Sequence, residues 1–229
     1  MKKQKSQHST STKSNISDFL IFLFTILFVM AAIYLTTNRN LNIYTVILFI
    51  ALGIPTIIAL VQGAPFVPTP MRAVRKMLKT AGIKKGDKVI DIGCGDGRLC
   101  HLAAKEFGAD AVGFELSPIV YVVAKIRQFL WGSEAKIKFG DFRNHDLSDA
   151  DHIVTYMLPE TLKKFIPKFE KDLKKGARIT SYAFHIGDWV PIHLEPSCKE
   201  SAISKIWVYE IGKQRRASES PASENLSRA

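Results

Sequence analysis

The chain has 229 residues, 47% of them hydrophobic and 23% charged, with a formal net charge of +11. That length holds one globular domain of ordinary size with extensions and excludes two large ones. The charge forms no arginine-rich stripe or basic-aromatic interleaving, which argues against a nucleic acid partner. Three cysteines without a CxxC pair or a Cys/His cluster of zinc spacing argue against a metal.

Residues 1–18, rich in Ser, Thr and Lys, read as a disordered basic N-terminus. Two apolar runs follow, Phe19–Leu35 and Ile43–Val61, each near the ~20 residues that cross a bilayer as a helix. Residues 19–61 therefore read as an N-terminal transmembrane helical hairpin; a single span with a partly buried second run, or a cleaved leader, are the alternatives. Lys2, Lys3, Lys5 and Lys13 place the N-terminus in the cytoplasm, and two spans return the globular part to that side. The expectation is a multi-pass membrane protein with the lipid bilayer as a partner.

Residues 62–82 form a connector and a first helix. GAPFVPTP (63–70) is extended and Pro-punctuated, and Met71–Ala81 alternates apolar and basic positions as an amphipathic helix closed by Gly82. From 83 to 211, strands alternate with helices. Strands are predicted at Lys88–Ile92, Ala111–Glu115, Ile137–Phe139, His152–Tyr156, Ala177–Ala183 and Ser204–Ile211. Helices are predicted at Arg98–Phe107, Pro118–Leu130 and Pro159–Leu173, the last broken or kinked at Pro167. Such alternation defines an α/β fold, a parallel sheet covered on both faces. Residues 212–229 read as a flexible tail.

The chemistry begins at KVIDIGCGDGRL (88–99), where a strand runs through Asp91 into Gly93, Gly95 and Gly97 and then a helix. Glycines permit the tight turn and close approach of a ligand. The dinucleotide pattern GxGxxG fails here, because Arg98 stands at its third glycine. Asp91 suits a ligand with an α-amino group, which S-adenosylmethionine has. Glu115 ends the second strand, where a carboxylate can accept from both ribose hydroxyls, a feature dinucleotide enzymes share. Asp141, in FGDF (139–142), can accept from an adenine amino group, and Phe142 can lie against the ring. All three acids fall at carboxyl ends of successive strands, where open α/β sheets bind ligands.

DIGCGDGR, FEL and GDF together resemble the seven-β-strand methyltransferases. PFVPTP and YMLPETLKKFIPKFEKDLKKGARITSYAF (156–184) are similar, more narrowly, to the protein-lysine methyltransferases that modify the c-subunit of ATP synthase and the adenine nucleotide translocase, and to archaeal relatives of broad specificity. The resemblance covers Ala64 to about Pro191. It implies a Rossmann-like seven-stranded methyltransferase sheet, S-adenosylmethionine held by Asp91, Gly93, Gly95, Glu115 and Asp141, and a protein substrate, membrane proteins included. In a eukaryote it implies a mitochondrial membrane. It also implies that Phe66, Val67, Pro68 and Thr69 form a wall or lid near the methyl group; a rigid spacer is the other reading. Two apolar runs and a Ser-rich tail depart from the family pattern.

A lysine acceptor must be neutral, and removing its proton near pH 7 costs about 4–5 kcal/mol from a pKa of ~10.4. Tyr156, at the end of the fourth strand, is the candidate for orienting the acceptor nitrogen, with a core aromatic as the alternative. Glu160 is a candidate proton acceptor or substrate anchor, or simply a carboxylate at a helix N-terminus. His185 and Trp189 are candidates to line an acceptor channel, or belong to a packed loop. Tyr156-Met157-Leu158-Pro159 lacks the Asn/Asp-Pro-Pro-Tyr of enzymes that methylate glutamine or adenine. Two other functions stay open: methylation of a membrane-borne quinone or lipid headgroup, and a non-catalytic S-adenosylmethionine-binding scaffold.

Overall fold

The computed structural model describes residues 67–198 and 200–213, the backbone of 215–216, and helical residues scattered between Ile43 and Gly53. Two compact units divide the chain, Met1–Ala51 and Leu52–Ala229. In the first, Ile43, Tyr44, Val46, Ile47, Ile50 and Ala51 are helical and exposed.

The expected transmembrane hairpin and multi-pass membrane location need correction. Among the described residues, no helix is long and apolar enough to cross a membrane. The longest of them has 14 residues, which is about 21 Å of helix against a hydrocarbon core of ~30 Å. Phe19–Leu35 and most of Ile43–Val61 lie outside the described residues, as does the tail beyond Arg216.

The second unit is built on a mixed sheet of seven strands. Its elements are α1 (Met71–Ala81), β1 (Lys88–Ile92), α2 (Arg98–Phe107), β2 (Asp110–Glu115), α3 (Pro118–Leu130), β3 (Lys136–Phe139), β4 (His152–Thr155), α4 (Pro159–Asp172), β5 (Arg178–Tyr182), β6 (Trp189–Val190), β7 (His193–Glu195), β8 (Ile206–Glu210) and β9 (Arg215–Arg216). The strand order is β3-β2-β1-β4-β5-β8-β7, and β6 pairs separately with β9. Strands β3, β2, β1, β4 and β5 run parallel. The expected all-parallel sheet is corrected at one edge, where β8 lies antiparallel to β5 and β7 to β8.

Local chemistry explains the boundaries. In α1 the residues Ala73, Val74, Met77, Leu78 and Ala81 recur at helical spacing and are buried, and Gly82 ends the helix at φ +75. Pro118 and Pro159 open α3 and α4 at first-turn positions, where their missing N–H costs nothing. Of the break or kink expected at Pro167, the break does not occur. Helix α4 continues through it, because Leu162, Phe165 and Phe169 anchor the turns on both sides in the core. The region after β5 is not plain loop: Trp189–Val190 pairs with Arg215–Arg216, so the described start of the tail is a strand.

Two apolar layers sandwich the sheet. One joins α1, α2 and α3 with Val89, Val154 and Ile206, and the other joins α4 with Ile90, Ile92, Ile153 and Ile179. Gly113 in β2 packs closely against two cysteines of the first layer. A Cβ there would lie 2.7 Å from Cys94 Sγ and 2.8 Å from Cys100 Sγ. Gly113→Ala is therefore expected to destabilise the protein by about 1–3 kcal/mol, the usual cost of overpacking a core. Chemical denaturation checks this, and an unchanged midpoint would show that both thiols can yield.

Candidate active site

The sheet register brings the strand ends to one level. Asp91 stands beside Gly113 in β2 and Val154 in β4, and Val154 stands beside Thr180 in β5. Two residues further along the chain from each come Gly93 and Tyr156, just past their strands, and Glu115 and Tyr182, the last residues of theirs. Glu115 in turn pairs with Phe139, two residues before Asp141. The residues singled out from three separate motifs thus lie side by side along the carboxyl edge of the sheet.

The glycine loop is held by the protein itself. Gly93 and Cys94 donate their N–H groups to the Phe114 carbonyl at 2.9 Å, and Gly97 donates to the Cys94 carbonyl. Gly93 has φ +91, and a Cβ on it would meet the Met157 methyl at 2.6 Å, so the loop lies directly under the chain that follows β4. Glu115 accepts the Gly95 N–H at one oxygen (2.9 Å) and the Ser117 N–H at the other (2.8 Å). The Leu116 N–H also interacts with this carboxylate, and its remaining acceptor capacity suits a ribose hydroxyl.

Asp91 is 5% exposed. Its hydrogen bond comes from the Cys100 thiol at 3.9 Å, and among the described residues it forms no ion pair. Burial, then Glu115 and Asp96, push its pKa up to about 8. A buried acid with no cation beside it among the described residues fits a ligand that brings an ammonium group. S-adenosylmethionine has one, and the residues present suit it.

The ligand-free Asp91 keeps its proton near neutrality, while an ammonium partner favours the carboxylate. Binding is therefore expected to release about one proton and to tighten as pH rises from about 6 to 8. Because the folded pKa lies above the unfolded value of 3.8, Asp91's contribution to ligand-free stability is full below about 4 and lost as pH rises through about 8. Calorimetry in buffers of different ionisation enthalpy measures the proton count. A binding heat independent of buffer would exclude this account.

Asp96, between two of the glycines, is 2% exposed and carries a network that motif reading missed. Arg98 Nε donates to it at 2.9 Å, and Arg127 of α3 pairs with it as well. Arg98 Nη1 also donates to the Thr69 carbonyl at 2.7 Å. Arg98 thus ties the connector, with Pro68 and Thr69, to the glycine loop. The signal available was an acid inside a glycine turn that requires a charged partner once buried.

Tyr156 sits in an aromatic cluster. Its ring meets Tyr182 edge-on at 5.1 Å and stacks with Phe184 at 6.2 Å and 21°. Burial, then Tyr182, raise its pKa, so the hydroxyl stays neutral. Ala183, at φ +66, makes the turn that sets Tyr182 and Phe184 beside it, and the Tyr182 hydroxyl accepts the Ser204 N–H at 3.1 Å. Tyr182 and Phe184 were not singled out from the sequence, although aromatics flanking a strand end were a readable signal.

The remaining predicted residues face solvent or are engaged by other side chains. Glu160 is exposed in the first turn of α4. Phe142 is buried edge-on against Phe165 at 4.7 Å, and Trp189 is buried against Tyr209. Asp141 caps a short turn by accepting the Arg143 N–H (2.9 Å) and pairs with the Arg143 side chain; burial raises its pKa, but Arg143 outweighs this and leaves it low. His185 is exposed, with a ring nitrogen 2.8 Å from the Gly187 carbonyl. Phe66 lies outside the described residues. No metal-binding cluster occurs among the described residues.

Sheet order and strand-end loop together define the class: an S-adenosylmethionine-dependent methyltransferase. A solved RNA methyltransferase from Salinibacter ruber in complex with S-adenosyl-L-homocysteine shares the fold with a TM-score of 0.61 and 28% identity, over 67% of this chain and 99% of that one. The ANTKMT methyltransferase domain matches residues 91–193. A protein-lysine N-methyltransferase of Saccharolobus islandicus (strain REY15A) is 35% identical over 158 residues, 68% of this chain and 98% of the relative. An ATP synthase C-subunit lysine N-methyltransferase of Xenopus laevis is 30% identical over 157 residues, 68% of this chain and 67% of the relative. The chain belongs to this protein-lysine N-methyltransferase family.

Proposed function

We propose that the enzyme transfers a methyl group to the side-chain amine of lysine in a protein substrate. The observation that carries this reading is the cluster of Tyr156, Tyr182 and Phe184, with Tyr156 level with Gly93 in the sheet register, aromatic surface suited to an amine and its methylated product. The names of the archaeal and Xenopus relatives support the same acceptor class.

Bound S-adenosylmethionine supplies a methyl group on a positively charged sulfur. Asp91 receives the cofactor's ammonium, Glu115 its ribose hydroxyls, and Asp141 its adenine amino group. Gly93, Gly95 and Gly97 keep the loop narrow enough to leave room for it. Pro68 and Thr69, tied down by Arg98, wall the site on the connector side. The aromatic cluster strips water from the lysine amine, which lowers its pKa and exposes the lone pair that attacks. Tyr156 orients that nitrogen, and positioning of this kind supplies much of the acceleration in an in-line displacement. Glu160 anchors the acceptor chain from outside, and Trp189 supports the channel from the core.

Incubation of the purified enzyme with methyl-labelled S-adenosylmethionine and a cell extract tests this. Label is expected in protein, recovered as methyl-lysine after acid hydrolysis. Label confined to RNA or to the organic phase would refute the lysine assignment. Cofactor binding without turnover in any extract would mark a scaffold instead.

A further inference from the structure

We infer that the outward face of α3 is a self-association surface through which two copies of this chain pair. Helix α3 has two apolar sides. One side, represented by Ala124 at 1% exposure, packs onto the helix's own sheet at β2 and β3. The opposite side carries Ile119, Val122, Ile126 and Phe129, spaced three, four and three residues apart, flanked by Val123 and Leu130. All six are exposed, Phe129 to 85% and Leu130 to 73%. That spacing is the seam by which one helix packs its side chains into another.

Area and place identify the occupant. The six side chains present on the order of 650 Å² of apolar surface, beyond the 300–600 Å² of the largest patch on a typical monomer. Two copies face to face would bury about 1,300 Å², within the ~1,200–2,000 Å² of a stable interface. A twofold pair uses the same patch twice, so one apolar seam suffices for both partners. The acceptor protein is a poorer fit. Strand β3 is four positions from β5 in the sheet, about 19 Å at ~4.8 Å per strand, so α3 lies across the sheet from the Tyr182 end of the aromatic cluster.

Sedimentation equilibrium of the full chain tests the inference. The wild type is expected to contain two copies at micromolar concentration, also in 0.5 M salt, since an apolar seam is not screened. Ile126→Glu with Phe129→Glu, both outward-facing, is expected to weaken pairing by about 100-fold or more, with S-adenosylhomocysteine binding unchanged as proof of an intact fold. A single copy in the wild type at about 100 µM would overturn the inference. So would assembly that the paired substitution leaves unaltered. A monomeric wild type whose variant loses only protein methylation would assign the face to the substrate.

Discussion

Replacement of Asp91 by Asn is expected to abolish useful cofactor binding while making the ligand-free protein more stable. The two effects have one cause. Asp91 is buried beside Glu115 and Asp96 and has no cation of its own among the described residues. Folding must either strip water from its charge or hold a proton on it, and both are costly. The cofactor's ammonium ends that cost. Losing one partner of a buried, hydrogen-bonded charge pair costs about 2–5 kcal/mol, or roughly 30- to 4,000-fold in affinity. The ligand-free Asp91→Asn variant should gain on the order of 2 kcal/mol, a rise of about 4–8 °C in Tm for a chain of this size. Calorimetric titration with S-adenosylhomocysteine and thermal denaturation measure the pair. Affinity within threefold of wild type would remove Asp91 from the binding role.

Tyr156→Ala is expected to lower kcat by about 100-fold or more and to leave cofactor affinity within about threefold. The ring faces Tyr182 and Phe184, and loss of an orienting surface acts on the reacting geometry more than on ground-state binding. Tyr156→Phe keeps both ring contacts and should retain most of the rate, because the neutral hydroxyl takes no proton from the amine. Single-turnover methylation with separate measurement of cofactor binding distinguishes the outcomes. If the Phe variant fell as far as the Ala variant, the hydroxyl and not the ring would be the working group. If the Ala variant kept the wild-type rate, Tyr156 would be a packing residue.

The misplaced elements share a dependence on distant chain. Arg215–Arg216 forms a strand because Trp189–Val190 offers it an edge, and nothing in the Ser-rich tail signals that pairing. Helix α4 passes Pro167 because distant core residues hold the turns around it, overriding a local preference that is sound on average. Phe142, three residues past the end of β3, turns inward onto Phe165, a contact set by where α4 lies and not by the FGDF motif.

The sequence alone determined the order of the four helices and of six strands, the placing of three acids near strand ends, the cofactor and the family. These rest on short-range rules: apolar spacing within a few turns, Gly82, Pro118 and Pro159 at helix ends, and glycines where a turn needs positive φ. Only the tertiary structure decided which residues meet. It pairs Asp96 with Arg127 from 31 positions away, fits Cys94 and Cys100 against Gly113, and gathers Tyr182 and Phe184 about Tyr156. Such contacts depend on how the sheet stacks and how its strands are ordered. That arrangement follows from the summed packing of the whole core, which no local pattern encodes.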